Sequence, residues 1–227
     1  MPDLSFRVLN VAAMPYAAVP TVAARLQVRN AYPEEKIHSV SLNCQVQLEP
    51  LRRSYSAMEE ARLLDLFGER ERWSRTMKPM LWTNSVLKLG EFSGTKEVDL
   101  PLPCTFDFDV AATKYFYGLE AGKIPVTALF SGTVFYAGQG DALQVAPIPW
   151  ACEARFELPV EVWRAAIDAH YPDQAWIRVP KETFDRLYHF KVARGIPAWD
   201  QLLNQLMDRA ELAEMGDLER SATGAPR

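Results

Sequence analysis

Two aspartates, Asp107 and Asp109, are the residues of this chain best spaced for catalysis. Two positions apart on a predicted strand, they share one face, with α-carbons ~6.6 Å apart. That separation suits the carboxylate pair of a glycosidase or the ligands of a calcium ion. The alternative, which we favour, is that they are outward charges that protect a strand edge from aggregation.

The three cysteines offer little further chemistry. Cys44, Cys104 and Cys152 are far apart, and no Cys-x-x-Cys pair occurs. All three lie on the apolar phase of predicted strands, which is typical of buried, unreactive thiols rather than of a disulfide framework or a zinc site. We therefore expect them to belong to the core.

The histidines and the glycine-rich positions do not form a known catalytic or cofactor motif. His38, His170 and His189 show neither i,i+4 nor His-x-His spacing, so a metal site would need ligands from distant elements. Gly138 and Gly140 stand between two predicted strands and indicate a hairpin turn, because a dinucleotide site needs a helix after its glycines. We predict no metal and no cofactor.

An arginine- and tryptophan-rich segment is the strongest candidate for a binding site. Its large cationic and aromatic side chains are Arg70, Arg72, Trp73, Arg75, Lys78 and Trp82. Arginine and tryptophan are enriched at the centres of protein interfaces. The neighbouring Glu69 and Glu71 offset the positive charge and argue against a surface that binds the phosphate groups of a nucleic acid. The alternative is that both tryptophans simply close one end of the core.

Composition narrows the class of protein. The chain has 227 residues, of which 48% are hydrophobic and 24% charged, so it can bury a full core. Its net charge is -4 and it has no long basic run, which argues against nucleic acid or an anionic membrane as a partner. No stretch approaches the ~20 apolar residues of a membrane span, and the first residues do not resemble a signal peptide. We expect a cytoplasmic protein.

Alternation of period two predicts a mainly β chain. A first strand starts at Leu4 and ends near Pro15, and residues 21–30 and 39–49 form two more that we expect to pair antiparallel through the turn at 32–36. Further strands are predicted at 81–89, 98–109, 124–136, 143–145 and 150–158. Pro101 and Pro103 place the strand 98–109 at an edge or a bulge, and Gly132 indicates a bulge in the central strand 124–136.

Helical signals occur at two places. Ser56 and Glu59 form a capping box that starts a helix at 56–67, and Gly68 suits its end. Residues 69–78 fit neither the period of two of a strand nor the period of 3.6 of a helix, which indicates an ordered loop or short helix. From Pro159 the period changes to 3.6. These patterns predict an antiparallel β-sandwich, immunoglobulin-like or related, at residues 1–158. A helical segment at 159–212 is expected to pack on it within the same domain, and a disordered tail follows at 213–227. The fold class is α+β overall.

Landmarks along nearly the whole chain are similar to an uncharacterised bacterial family, catalogued as a domain of unknown function. They include Leu66-Phe67-Gly68, Arg72-Trp73, Leu81-Trp82-Thr83, Phe92-Ser93-Gly94, Pro103-Cys104, the run from Phe130 to Tyr136, and the late Trp163, Tyr171-Pro172 and Trp176. Genes of that family often neighbour those of nickel–iron hydrogenases. The resemblance implies an accessory or assembly role near a metalloenzyme, and it transfers no functional residue.

Our leading hypothesis is a non-catalytic binding or accessory protein that contacts a protein partner, a hydrogenase or its maturation machinery, through Arg70, Arg72, Trp73, Arg75 and Trp82. A hydrolase, or a module that binds carbohydrate or another small ligand, is the alternative, with Asp107 and Asp109 as its site.

Overall fold

The computed structural model describes residues 1–105, 107, 110–174 and 177–222, the side chains of residue 139 and of residues 217–222 excepted. The chain divides into two compact units, Met1–Ile177 and Arg178–Arg227. All strands of the described residues belong to the first unit.

The first unit is a β-sandwich of two sheets. Its strands are β1 (Leu4–Ala13), β2 (Thr21–Asn30), β3 (Ile37–Leu48), β4 (Met80–Leu89), β5 (Thr95–Pro103), β6 (Lys123–Ala137), β7 (Leu143–Pro147) and β8 (Glu153–Pro159). One sheet has the order β1-β2-β5, and the other has the order β4-β3-β6-β7, with β8 also paired to β6. Each of these pairs is antiparallel. The predicted antiparallel sandwich with C-terminal helix is confirmed.

The helices are short in the first unit and longer in the second. They are α1 (Ala57–Arg62), α2 (Leu64–Phe67), α3 (Trp73–Thr76), α4 (Ala111–Gly118), α5 (Val160–Asp168), α6 (Lys181–Ala193) and α7 (Trp199–Ala222). Ser56 and Glu59 form the expected capping box of α1, and Gly68 follows α2 at a φ of 71°. The helical segment expected from residue 159 begins with α5, whose Val160, Trp163 and Ile167 are buried in the core of the first unit.

The prediction that the strands at 21–30 and 39–49 pair with each other was wrong. β2 pairs with β1 and β5, whereas β3 pairs with β4 and β6 in the opposite sheet. The connection turns at the buried Asn30, whose side-chain amide donates to the Tyr32 carbonyl and whose amide oxygen accepts from the Asp3 N–H. Alternation specifies which face of a strand is buried, but it does not specify the neighbouring strand, so both pairings fitted the sequence.

The two sheets meet in one hydrophobic core. Phe6 of β1 stacks on Phe130 of β6 with ring centroids 4.3 Å apart. β6 is the central strand, as predicted, but its register against β3 is continuous at Gly132, so the predicted bulge is absent there. A Cβ at Gly132 would lie 2.0 Å from the Ser41 carbonyl oxygen, and the backbone φ of Gly132 is 142°. Glycine is therefore required by the close approach of the two backbones.

Strand β5 lies at the edge of its sheet, as its prolines predicted. It ends at Pro103, which pairs with Thr21, the first residue of β2, whereas the predicted strand ran to residue 109. Thr105 then turns the chain: its hydroxyl accepts from the Asp107 N–H at 3.2 Å and its carbonyl accepts from the Thr113 hydroxyl.

The second unit contains α6 and α7. Within it Leu202 and Ile196 are buried, and Phe184 contacts the Trp199 ring at a centroid distance of 5.4 Å. Helix α7 continues to Ala222, through part of the segment at 213–227 that the sequence predicted to be disordered. Residues 208–215 are rich in alanine, glutamate, leucine and methionine, which favour helix without tertiary support. Residues 223–227 lie outside the described residues.

Candidate functional site

The structure separates the predicted arginine- and tryptophan-rich segment into core and surface. Trp73 and Trp82 are buried, at 3% and 6% exposure. The indole N–H of Trp73 donates to the Gly68 carbonyl at 2.8 Å, and Trp82 packs edge-on against Phe116. The two tryptophans therefore lie where the core alternative placed them.

The arginines of the segment remain at the surface. Arg70, Arg72 and Arg75 are all exposed. Only Arg70 lies against an aromatic ring, with its guanidinium carbon 4.5 Å from the centroid of Trp73 and its Nε 3.2 Å from a Glu60 carboxylate oxygen. Arg70 and Trp73 are thus brought together, while Trp82 belongs to the packing of β4.

A cleft of about 350 Å³ opens beside this arginine–tryptophan pair. We call it the Arg53–Arg70 cleft. Its lining consists of two arginines, aromatic and apolar side chains and one serine: Pro50, Leu51, Arg53, Tyr55, Arg70, Trp73, Ser74 and Met77. Leu51 is 54% exposed, so the cleft has an apolar rim next to its cationic wall. Arg72 and Arg75 do not line it.

Arg53 is the most constrained group of the cleft. Its side chain is 10% exposed, and its Nη2 donates to Glu59 Oε1 at 2.9 Å and to the Ala121 carbonyl at 3.2 Å. Its Nε donates to the Ser54 carbonyl. Its Nη1 is buried and has no hydrogen-bond partner among the described residues. The guanidinium carbon of Arg53 lies over the Tyr55 ring, 5.0 Å from its centroid, so the group also faces an aromatic surface.

The two tyrosines behind the cleft are hydrogen-bonded to each other. Tyr55 donates to the Pro50 carbonyl at 2.7 Å, and its hydroxyl lies 2.8 Å from that of Tyr115. Because a phenol has one proton to give, Tyr115 is the donor in the second bond. Burial raises the pKa of Tyr55 to about 12 and also raises that of Tyr115. Both phenols are therefore neutral at physiological pH.

This cleft presents cationic, aromatic and apolar groups and one serine hydroxyl. Its lining among the described residues includes no histidine, thiol or carboxylate that could act as a general base or nucleophile. Two guanidinium groups beside an indole and an exposed leucine favour a ligand with both a carboxylate and an apolar part.

The aspartate pair does not have its predicted geometry. Asp107 lies in the turn between β5 and α4 and is half-buried, so the prediction that it stands on a strand was wrong. Asp109 lies outside the described residues. The shared strand face, on which the hydrolase alternative depended, ends at Pro103.

The cysteines and histidines lie elsewhere. Cys44 and Cys104 are buried, as expected, and Cys152 is half-buried; none forms a disulfide. Burial raises the pKa of Cys44 and of Cys104 to about 12 and also raises that of Cys152. Both ring nitrogens of His170 lie within hydrogen-bond distance of main-chain carbonyls.

Among the described residues, no group of three or more histidine, cysteine, aspartate or glutamate side chains is arranged to hold a metal ion. No helix there is long and apolar enough to cross a bilayer.

A family model matches residues 1–215 of the chain. The chain belongs to the DUF6084 family, a family of unknown function. No curated protein matches this DUF6084 member.

Among solved structures, the DUF6084 chain is similar to a CARDB domain from Pyrococcus furiosus solved in complex with di-metal ions (13% identity, 69% of this chain and 91% of that chain, TM-score 0.25). It is also similar to a putative late embryogenesis abundant protein (11% identity, covering 70% of this chain and 71% of that chain, TM-score 0.31). A β-glucosidase from Kluyveromyces marxianus also matches (14% identity, covering 69% of this chain and 15% of that chain, TM-score 0.27). This chain therefore spans only a small part of that enzyme.

Sequence reasoning missed half of the cleft. Arg53, Tyr55 and Leu51 precede the capping box and carry no periodic or motif signal. The capping box placed these residues just before a helix start, and no local signal indicated that they line a cleft.

Proposed function

We propose that this protein is a non-catalytic binding protein whose Arg53–Arg70 cleft receives a carboxylate group of a protein partner. The observation that carries the proposal is the exposed guanidinium of Arg70, which is held over Trp73 in an open cleft that Arg53 also lines. A carboxylate that enters the cleft is a suitable acceptor for the Arg70 guanidinium.

The remaining lining supports the same type of ligand. Arg53 offers a second guanidinium on the wall of the cleft, and Arg70 is 56% exposed. Leu51 provides apolar surface at the rim. Arginine and large aromatic side chains with an apolar surround form the typical centre of a protein interface.

The local charge balance favours one carboxylate over a polyanion. Arg53 pairs with Glu59, and Arg70 pairs with Glu60, so the cleft carries little net positive charge. A phosphate-rich ligand needs uncompensated cations, whereas a single carboxylate needs donors at the correct positions.

The partner that we propose is a hydrogenase or a component of its maturation machinery, in the cytoplasm. What supports this choice is the resemblance to a family whose genes often neighbour those of hydrogenases, together with a cleft suited to binding rather than to catalysis. The protein would then act as an accessory factor through protein contact.

The carboxylate preference is tested with N-acetyl-leucine as the probe and N-acetyl-leucinamide as its uncharged control. The signal to follow is the indole N–H of Trp73 in a 15N–1H correlation spectrum. We expect a saturable shift with the acid, a weaker response in Arg70→Ala, and a wild-type response in Arg75→Ala, because Arg75 lies outside the cleft. Equal shifts with the amide, or equal losses in both variants, would refute the proposal.

The partner is tested by affinity purification of the tagged chain from its native host. We expect a hydrogenase subunit or maturation protein to be recovered with wild type and with Arg75→Ala, and to be lost with Leu51→Glu. Recovery that Leu51→Glu leaves unchanged would exclude the cleft as the contact surface, and recovery of unrelated proteins alone would exclude the hydrogenase.

A further inference from the structure

We propose that a groove between the open edges of β1 and β8 binds an extended, acidic segment of a partner protein by strand pairing. β1 is the outer strand of one sheet, and in the described part of the chain β8 pairs with β6 alone in the other. Among the described residues no backbone hydrogen bond joins β1 to β8. Each strand therefore presents main-chain N–H and C=O groups that its own sheet does not use.

The two edges run side by side in the same direction. The Cys152 thiol lies 3.7 Å from the Leu4 carbonyl oxygen at one end, and Val11 and Pro159 line the groove together towards the other. The groove between them has a volume of about 410 Å³. It shares no lining residue with the Arg53–Arg70 cleft, so the two proposals are independent.

The lining suits alternating side chains. Val8, Val11 and Phe156 are half-buried and form an apolar surface in the groove. The pairing of β1 with β2 shifts register between Val8 and Asn10, so Leu9 is an extra residue, and its side chain is 42% exposed in the groove. A bulge of this kind redirects one side chain, here that of Leu9.

The charges of the groove favour an acidic partner. Its charged lining residues are Arg7, Lys123, Arg155 and Glu157. Lys123 pairs with Glu157 at 3.0 Å and Arg155 with Glu153 at 2.8 Å, whereas Arg7 has no carboxylate within ion-pair distance in the described part of the chain. Arg7 therefore gives the groove one positive charge beyond its two ion pairs, and an acidic segment would meet it there. Strand addition supplies the affinity through main-chain bonds, and the flanking charges select the sequence.

A fluorescein-labelled heptapeptide that alternates glutamate and valine is the probe, matched to the seven residues of β8. Its binding to the full chain is followed by fluorescence anisotropy. We expect saturable binding that weakens at least tenfold in Arg7→Glu/Arg155→Glu. The matched control is Lys78→Glu/Lys88→Glu, which changes net charge equally at exposed positions outside the groove and should bind as wild type does.

Two further peptides separate strand pairing from simple charge attraction. The same peptide with alternate backbone nitrogens methylated keeps its charge but loses the donors needed for pairing, so we expect at least tenfold weaker binding. A lysine–valine peptide should not bind. Absence of saturable binding, equal affinity for the methylated peptide, an equal loss in the control variant, or tighter binding of a single-stranded oligonucleotide would each overturn the proposal.

Discussion

Arg53 donates from one nitrogen, Nη2, to both carboxylate oxygens of Glu59, at 2.9 and 3.2 Å. The two side chains are 10% and 4% exposed, so this ion pair is withdrawn from solvent. The same carboxylate accepts from the backbone N–H groups of Ser56 and Glu120. One buried glutamate thus caps α1, ties it to the chain after α4, and holds the arginine that lines the cleft.

Replacing Glu59 with glutamine should lower the free energy of unfolding by about 3–5 kcal/mol, because it leaves the Arg53 charge buried without its partner. The matched control is Glu60→Gln, which removes the more accessible partner of the exposed Arg70 and should cost about 0–1 kcal/mol. Urea denaturation of the two variants measures both values. Equal stabilities would show that the buried pair contributes no more than a surface pair.

Gly132→Ala should destabilise the sandwich more than any other glycine-to-alanine change tested beside it. The added Cβ would stand 2.0 Å from the Ser41 carbonyl oxygen, so β3 and β6 would have to separate at the centre of the sheet. Gly140→Ala is the control, since its φ is also positive, at 68°, but no atom lies within 4 Å of the added Cβ. We expect about 1–2 kcal/mol for Gly140→Ala and a larger loss for Gly132→Ala, measured by thermal or urea unfolding. Similar losses would place the cost in the backbone conformation alone.

The stability of the protein should fall as the pH rises from 10 through 12. Burial raises the pKa of Tyr55 to about 12, whereas an unfolded tyrosine titrates near a pKa of ~10. The folded state therefore retains a proton that the unfolded state loses, and this stabilisation, complete below pH 10, disappears as the pH passes the folded value. Tyr55→Phe should flatten the dependence of the unfolding free energy on pH between 10 and 12.

The control for that experiment is Tyr117→Phe, whose ring is 60% exposed. The buried thiols contribute to the slope in the same direction over this interval in both variants, so the difference between the two variants reports Tyr55. An unchanged slope in Tyr55→Phe would contradict the assignment of the pH dependence to this phenol.

The cysteines should resist thiol reagents while the protein is folded. Burial raises the pKa of Cys44 and Cys104 to about 12, so little thiolate is present at pH 8, and both side chains are shielded. Reaction with a chromogenic disulfide reagent should release colour slowly from the native chain, first from the half-buried Cys152, and rapidly from all three thiols in urea. Fast native reaction in a Cys152→Ser variant would show that a core thiol is accessible.

Much of the first unit could be predicted because its rules are local. The alternation at 21–30, the capping box of Ser56 and Glu59, and the edge position implied by Pro101 all depend on a few neighbouring residues. The prediction of a bulge at Gly132 was wrong because the constraint on this residue is not local. What requires glycine there is the carbonyl of Ser41, far away in the sequence.

Prediction of the Arg53–Arg70 cleft from the sequence was limited in the same way. The arginines and tryptophans of residues 70–82 were visible as a group, but nothing local indicated that Trp73 turns into the core while Arg70 lies over its ring at the surface. Arg53 and Leu51 line the same cleft, and α1, which follows them, contacts the segment through the ion pair of Glu60 with Arg70.

The sequence by itself determined the class of the fold, the buried faces of its strands and the inert character of two core thiols, since side-chain period and burial follow from short-range stereochemistry. Only the tertiary structure decided that β2 and β3 belong to opposite sheets, that β5 ends before Asp107, and that Arg53 meets Glu59 behind an open cleft. Strand partners, ion pairs and clefts depend on contacts between distant segments, and no local pattern specifies those contacts.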